Sequence, residues 1–436
     1  MEHAIRKTDI LVAGAGIAGC AASQALQAAG ADYLLLERNV EPGGLTRSIS
    51  IGEAHFDYTG HFMHLARCSS PAALPFAHQN DEDWSLIDRR STVFIEGEMV
   101  PAPFQYNLFY LPDDIRKRCI DGFHNRPEAV EAQSFREYLH TGFGEGICHH
   151  FLFPYNEKIM ACPLDELSVE AVKRFFPVPD KKRIEQGYRH GGVNQDAGYN
   201  SRFWYPKHQG IGLLAQGLAK GLKNLVTTCP VEGIDLAEHR VSTPSGTVRY
   251  ERLISSIPLK SLCTHTSHPT LHSLADSLRH TRVLCLNLLI RGSMPEIFRG
   301  SHWIYVPQRD IPFYRLGFYS HIAPHIHPRG MTALYVEVAS AHSAPAPDMG
   351  TLLDGILSSL ERLGWVHRSQ CAIMTANWID YAYVLFDHSR KKTVSEIFSI
   401  LKGYEVYPIG RYGLWDYISM EDAILSGAET AGMLLK

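Results

Sequence analysis

The chain has 436 residues, 45% of them hydrophobic, with 42 Lys plus Arg against 46 Asp plus Glu, a formal charge of −4. This length exceeds one simple core and predicts two or three domains, while the near balance of charge excludes a global field that would recruit nucleic acid or an anionic membrane. Nine scattered cysteines without a C-x-x-C pair point to reduced thiols in a cytoplasmic protein, and no run reaches the roughly 18 apolar residues that an integral membrane segment requires.

Taken in chain order, residues 9–13 read as a buried parallel strand, 17–29 as a helix and 33–36 as a second strand, a βαβ unit. Residues 56–91 look irregular, and 92–100 read as a hairpin around Glu96-Gly97-Glu98. From 104 to 176 helical periodicity is interrupted at Pro112, Pro127, Pro154 and Pro163, which predicts a cluster of short helices. A helix over 213–222 precedes short strands across 226–257, with Gly233 and Gly246 at turns. Residues 283–319 and 331–338 are strand-rich, 351–363 helical, and 407–436 return to strand, turn and helix. The fold class is therefore α/β. A Rossmann-like dinucleotide domain is expected from residues 1–100, 191–260 and 386–436, interleaved with a helical insertion, 101–190, and a mixed-sheet substrate domain, 261–385.

Gly14-Ala15-Gly16-Ile17-Ala18-Gly19 between strand and helix forms a G-x-G-x-x-G turn. Gly14 permits the bend, Gly16 lets the backbone approach a pyrophosphate and Gly19 lets the helix pack on the strand. Glu37, 18 positions beyond Gly19, stands where an acid accepts the ribose hydroxyls, with Arg38 beside it. The following Glu41-Pro42-Gly43-Gly44-Leu45-Thr46-Arg47 resembles the glycine doublet of flavoproteins of the amine oxidase and protoporphyrinogen oxidase type. Val231 to Ile234 and Leu253 to Pro258 are similar to the strands beside the adenine in that superfamily. The resemblance implies FAD rather than NAD, held through Gly14, Gly16, Gly19, Glu37, Arg38, Gly43, Gly44, Leu45 and Val231.

A narrower likeness rests on Ala102-Pro103-Phe104-Gln105-Tyr106-Asn107, Pro154-Tyr155-Asn156-Glu157-Lys158, Asn200 before Pro206, Pro312-Phe313-Tyr314-Arg315 and Gly410-Arg411-Tyr412-Gly413-Leu414-Trp415-Asp416-Tyr417. These segments, in this order, resemble the UDP-galactopyranose mutases. That resemblance implies a nucleoside-diphosphate sugar as substrate, its diphosphate held by Arg315, Tyr305, Tyr383 and Tyr417. Gly60, His61, Arg411, Tyr417 and Ser419 would lie at the flavin and Asn200 near the sugar. Phe104, Gln105, Tyr155, Asn156, Met160 and Arg174 would line the nucleotide pocket. An independent reason favours such a set: a diphosphate in a chain of net negative charge needs a guanidinium fork, and tyrosine hydroxyls donate without adding charge.

The sequence departs from that family at three places. Lys173-Arg174 is followed by Phe175-Phe176-Pro177, so Arg174 alone stands in for a second loop arginine; Met160 replaces a tryptophan; and Ala102 replaces an aromatic residue. Base and sugar are therefore left open. The implied reaction interconverts pyranose and furanose rings through a covalent adduct at N5 of reduced FAD, with NAD(P)H as a possible reductant. An oxidase or desaturase of the amine oxidase type is the alternative, since it shares every FAD motif. No metal site is expected: His321, His325 and His327 lack an accompanying carboxylate or cysteine, and Pro324 and Pro328 suggest an exposed loop. Oligomeric state is not legible.

Overall fold

In the computed structural model of the chain, which describes residues 6–127, 131–170, 179–192, 201–345 and 347–436, the first strand is Arg6–Ala13. Ile10 and Val12 point into one core, Leu11 and Ala13 into another, as expected of a central parallel strand covered on both faces. It lies between Gly246–Ser255 and Tyr33–Leu36, parallel to both. Leu225–Val226 adds to Tyr33–Leu36, Val406–Pro408 to Gly246–Ser255, and an antiparallel extension through Arg240–Thr243 and Gly233–Asp235 completes seven strands.

The helix Ile17–Ala28 follows the glycine turn. A Cβ on Gly19 would lie 1.9 Å from the Gly14 carbonyl oxygen, so only glycine lets this helix sit on its strand. The C-terminal helix Met420–Leu434 packs on the same helix, and a Cβ on Gly427 would come within 2.1 Å of the Ala18 carbonyl oxygen. The buried Glu421 ties that helix to the N-terminal half. Its carboxylate accepts the backbone N–H groups of Ala66 (2.7 Å), Arg67 (3.0 Å) and Cys68 (2.6 Å).

The second sheet has the order Cys371–Ile379, Thr281–Arg291, Met331–Ala341, Arg315–Phe318, Trp303–Tyr305, Ser91–Ile95, Glu98–Pro101. Period-2 alternation divides its faces. Leu284, Leu286, Leu316 and Val336 bury against Ile356 and Leu360 of the helix Met349–Arg362. Cys285, Trp303 and Tyr335 face the dinucleotide-type part. The helices Asp113–His124, Phe135–Phe143, Phe153–Met160 and Lys181–Arg189 form a separate cluster around their own apolar core.

Three local expectations change. The Ser91–Pro101 hairpin pairs with Trp303–Tyr305 and so belongs to the second sheet. Residues 56–91 are less irregular than their composition suggests, because Ala54–Asp57 forms a hairpin with Ser48–Ile51, and Trp84–Asp88 pairs with Arg202–Pro206 far along the chain. Gly233 opens a strand instead of making a turn, whereas Gly246, at φ +121°, does lie at one. In Arg202–Pro206, Phe203 and Tyr205 are core residues.

Beneath the first hairpin, Asp57 is fully buried. It accepts hydrogen bonds from Ser48 Oγ (2.6 Å), Tyr205 Oη (2.7 Å) and the Ile211 N–H (3.0 Å). Burial raises its carboxyl to about 6, against these three donors. A carboxyl raised by folding binds its proton more tightly in the native state, so its stabilising contribution is complete below pH 4 and is lost as pH rises through 6. Relative to Asp57→Asn, the wild type should therefore lose about 2–3 kcal/mol of stability between pH 4 and pH 7. Urea unfolding of both proteins at the two pH values checks this, and an unchanged gap would mean that folding does not raise the Asp57 carboxyl.

Candidate active site

The dinucleotide fingerprint forms a cradle. Gly14 adopts φ +90°, and the doublet Gly43 and Gly44 adopts φ +118° and +58°, all in the region that favours glycine. Gly43 donates its N–H to the Ala15 carbonyl at 2.7 Å, so the doublet lies on the first turn. A Cβ at Gly16 would meet nothing within 4 Å, which leaves open space at the N-terminus of Ile17–Ala28. Glu37 is buried below the turn. It holds the N–H of Ala15 with one oxygen (2.8 Å) and the Asn39 backbone and side chain with the other (2.9 and 2.6 Å).

Across from the cradle, the register of the second sheet aligns Tyr305, Arg315, Glu337 and Cys285 in one row over four strands. Directly opposed residues share a face, so these four side chains project together toward the dinucleotide-type part. Glu337 has no exposed surface. Its Oε2 accepts Arg315 Nε (2.7 Å), Arg315 Nη2 (2.6 Å) and Tyr314 Oη (2.6 Å), and its Oε1 accepts Thr59 Oγ1 (2.6 Å). Burial alone would raise this carboxyl. The Arg315 guanidinium, with the Arg315, Thr59 and Tyr314 hydrogen bonds, instead holds it below the ordinary carboxylate value. One row further, the ring of Tyr335 fills the space over Gly60 and Gly317, where added Cβ atoms would stand 2.6 and 2.1 Å from it.

The tyrosines close the site. Tyr383 lies beside Tyr314 and stacks on Tyr417 with ring centroids 5.9 Å apart, and Tyr155 meets Tyr305 edge-on at 5.2 Å. Burial raises the phenols of Tyr155, Tyr314, Tyr335 and Tyr383 above their usual value, so all remain protonated donors at neutral pH. Arg411 lies 4.0 Å over the Tyr417 ring and donates from Nη1 to the Ile418 carbonyl at 3.0 Å; its Nε is buried without a partner. Burial, then Arg411, lowers the His61 imidazole to about 4, and its Nδ1 is also buried without a partner. The ring lies by the Leu45 backbone, beside the glycine doublet. With His61 neutral, Arg315 and Arg411 against Glu337 leave one positive charge.

The other predicted residues divide. Phe104 is buried against Phe151, and Gln105 is partly exposed beside it. Asn156 donates from its side-chain amide to the Leu152 carbonyl at 2.6 Å, a bond within its own helical segment. Met160 packs on the helical core. Arg38 is exposed, and Val231 precedes the strand Gly233–Asp235 instead of lying in it. Ser419 caps the last helix, its hydroxyl accepting the Asp422 N–H at 3.1 Å. Asn200 and Arg174 lie outside the described residues. His327 is buried beside Phe56 instead of lying in an exposed loop, and among the described residues no three His, Cys, Asp or Glu gather at metal-binding distance. Among them, too, no helix is long and apolar enough to cross a membrane.

Sequence reasoning missed Glu337, Thr59, Tyr314 and Tyr335. Tyr314 adjoins Arg315 and could have been found from that neighbour. Glu337 looks like any acid in a strand until the register places it against the arginine.

A family profile described as an NAD(P)-binding Rossmann-like domain matches residues 12–78. Among solved structures, reduced UDP-galactopyranose mutase is similar at a TM-score of 0.90 and 26% identity, covering 98% of this chain and 95% of that one. This bears out the resemblance read from the motifs. A protoporphyrinogen oxidase-like protein of Exiguobacterium sp. 255-15 follows at TM-score 0.74 and 16% identity, over 99% of both chains. Wild-type putrescine oxidase shares the fold at TM-score 0.64 and 14% identity, over 99% of this chain and 100% of that one. The chain thus has the interleaved α/β fold of this superfamily.

Replacing Glu337 by Gln leaves a buried guanidinium without its counter-charge and should cost about 3 kcal/mol in denaturant unfolding at pH 7. Glu166→Gln, which removes an exposed partner of Arg279, should cost less than about 1 kcal/mol. Equal costs would show that the Arg315–Glu337 pair is solvated.

Proposed function

We propose that the chain is an FAD-dependent mutase that interconverts the pyranose and furanose forms of a nucleoside-diphosphate sugar. The observation that carries this reading is the composition of the wall facing the glycine cradle. Arg315 on that wall and Arg411 on the cradle side, opposed by the one carboxylate of Glu337, leave a positive charge, amid tyrosines such as Tyr383 that burial keeps protonated. An amine or a tetrapyrrole would call for an apolar cage; a diphosphate calls for this arrangement. The likeness to reduced UDP-galactopyranose mutase at 26% identity supports the same reading.

The residues fit the cofactor. The open space at Gly16 accommodates a pyrophosphate at a helix N-terminus, and the unpartnered Arg411 Nε and His61 Nδ1 await polar atoms at the junction of the chain ends. FAD would rest on Gly14, Gly16, Gly19, Gly43 and Gly44, between Leu45, Gly60, His61 and Arg411. Reduced flavin supplies a nucleophilic nitrogen for the anomeric carbon, and NAD(P)H is the reductant class we propose.

The protein's own part is binding and electrostatics. Arg315, oriented by Glu337 from below, holds the diphosphate as it leaves the sugar and as it returns, and Tyr305, Tyr383 and Tyr417 donate to its oxygens. Burial keeps the Tyr383 phenol protonated, so its donation persists across neutral pH. His61, neutral above about 4, adds no charge to the redox centre. Phe104, Gln105, Tyr155 and Met160 form the wall proposed for the base, and Arg174 and Asn200 the proposed contacts to terminal phosphate and sugar.

Purified protein reduced with dithionite and incubated anaerobically with UDP-galactose, then with other nucleoside-diphosphate hexoses, should form an isomeric sugar nucleotide separable by chromatography. Oxidised protein should form none. Arg315→Ala should lower kcat/KM by about 10²–10³. Oxygen consumption on an amine, with no isomer from any sugar nucleotide, would move the chain to the oxidases.

A further inference from the structure

Tyr305 and Arg315 stand at the two roots of one hairpin, opposite each other in the last pair of the ladder between Trp303–Tyr305 and Arg315–Phe318. Beyond them the chain closes with the Val306 N–H to the Tyr314 carbonyl at 2.9 Å and, at the tip, the Ile311 N–H to the Gln308 carbonyl at 3.4 Å. What fixes residues 306–314 thus fixes where the two substrate-facing side chains stand.

Gln308 Nε2 donates to the Phe94 carbonyl at 2.7 Å and Asp310 pairs with the exposed Arg362 at 2.9 Å; the fastening on the pocket side comes from the helix Phe153–Met160. Lys158 Nζ donates to the carbonyls of Val306 (3.0 Å) and Gln308 (2.7 Å). Beside it, Glu157 Oε2 accepts Arg309 Nη2 at 2.6 Å, while its Oε1 accepts Arg136 Nη1 at 3.0 Å. The same helix presents Tyr155 to Tyr305 and Tyr314 at centroid distances of 5.2 and 6.4 Å. It therefore contributes to the pocket wall and grips the hairpin that carries the facing wall.

We propose that Lys158 is a positioning residue for Tyr305 and Arg315: its ammonium latches the 306–314 hairpin to the pocket helix. The latch rests on the substrate reading above only for its consequence, not for its geometry. Its strength depends on charge, because an ammonium donates to carbonyls more strongly than a neutral amine. Burial lowers the Lys158 amine to about 7, with Asp310 of the hairpin opposing the shift. The other ionisable groups around the cleft of about 590 Å³ that it borders are Arg309 of the hairpin, and Glu157 and Cys162 at its own helix end. Glu157 is already engaged by two arginines, and burial raises the Cys162 thiol to about 11. Lys158 is thus the group of this cleft brought to neutral pH by burial; His149 and His150 face Pro307, Gln308 and Arg309 of the hairpin across the neighbouring cavity, and burial, then His149, lowers the His150 imidazole. The latch is tight below pH 7 and loosens above it.

The test compares wild type with Lys158→Met at pH 6 and pH 8. Hydrogen exchange of the 306–314 amides, read by mass spectrometry against segment 281–291 as internal control, reports the latch without any ligand. Exchange should be at least tenfold faster in Lys158→Met than in wild type at pH 6, and the ratio should shrink at pH 8. Affinity for UDP-galactose, whose diphosphate does not titrate in this range, should fall about tenfold in the variant at pH 6 and become nearly independent of pH. Equal exchange in the two proteins at pH 6 would overturn the proposal whatever the ligand does. Wild type that shows the exchange difference but binds no UDP-galactose would uphold the latch and overturn the choice of substrate. If Lys158→Met does not fold, wild type alone decides: exchange in 306–314, corrected for the intrinsic pH dependence by segment 281–291, must rise between pH 6 and 8, and its constancy would overturn the latch.

Discussion

The site depends on a carboxylate that water cannot reach. Glu337 is placed by strand register directly beside Arg315 and holds its guanidinium by two nitrogens while binding Tyr314 and Thr59. An isolated charge at that depth would be expelled or neutralised, and so would the arginine. Together they tolerate burial, and their geometry is fixed because four groups converge on two oxygens. The arginine is thereby presented with one direction of approach, a requirement for recognising an anion by position as well as by charge.

The same carboxylate joins the two halves of the site. Thr59 and Gly60 belong to the segment leading to His61, so the loop beside the glycine cradle and the arginine on the mixed sheet are referenced to one group. Tyr335 adds a steric counterpart. Its ring fills the space that Gly60 and Gly317 vacate by having no side chain, which sets how closely that loop approaches the sheet. Glu421 plays a comparable part at the far end, gathering three backbone N–H groups of residues 66–68 and fastening the C-terminal helix to the segment that follows His61.

Much of the fold was legible. The βαβ unit follows from an apolar run, glycines at positions that need them and an acid at the second strand end, all local signals. The hairpin at 91–101 was legible as a hairpin and its sheet was not, since pairing with Trp303–Tyr305 is decided by packing over some two hundred residues. Trp84–Asp88 was missed for a related reason: its partner Arg202–Pro206 supplies the stabilisation that its own composition lacks. For the site, Arg315, Arg411, His61, Tyr155, Tyr305, Tyr383 and Tyr417 were named from motif resemblance; the structure sets Arg315, Tyr155, Tyr305 and Tyr383 along one wall and His61, Arg411 and Tyr417 on the cradle side facing it. Asn156 looked equally suitable in sequence, yet its amide closes on Leu152.

The sequence by itself determined the chemistry that could be offered: a glycine turn able to admit a phosphate, a second glycine pair beside it, and arginines and tyrosines enough to hold an anion in a chain of net negative charge. Those are properties of residue type and short spacing, which the chain carries before it folds. Only the tertiary structure decided which acid would neutralise which arginine, which tyrosine hydroxyls would be desolvated and which polar atoms would remain open. Each of those outcomes depends on strand register and burial, and register changes the neighbours of a residue without changing a letter of its sequence.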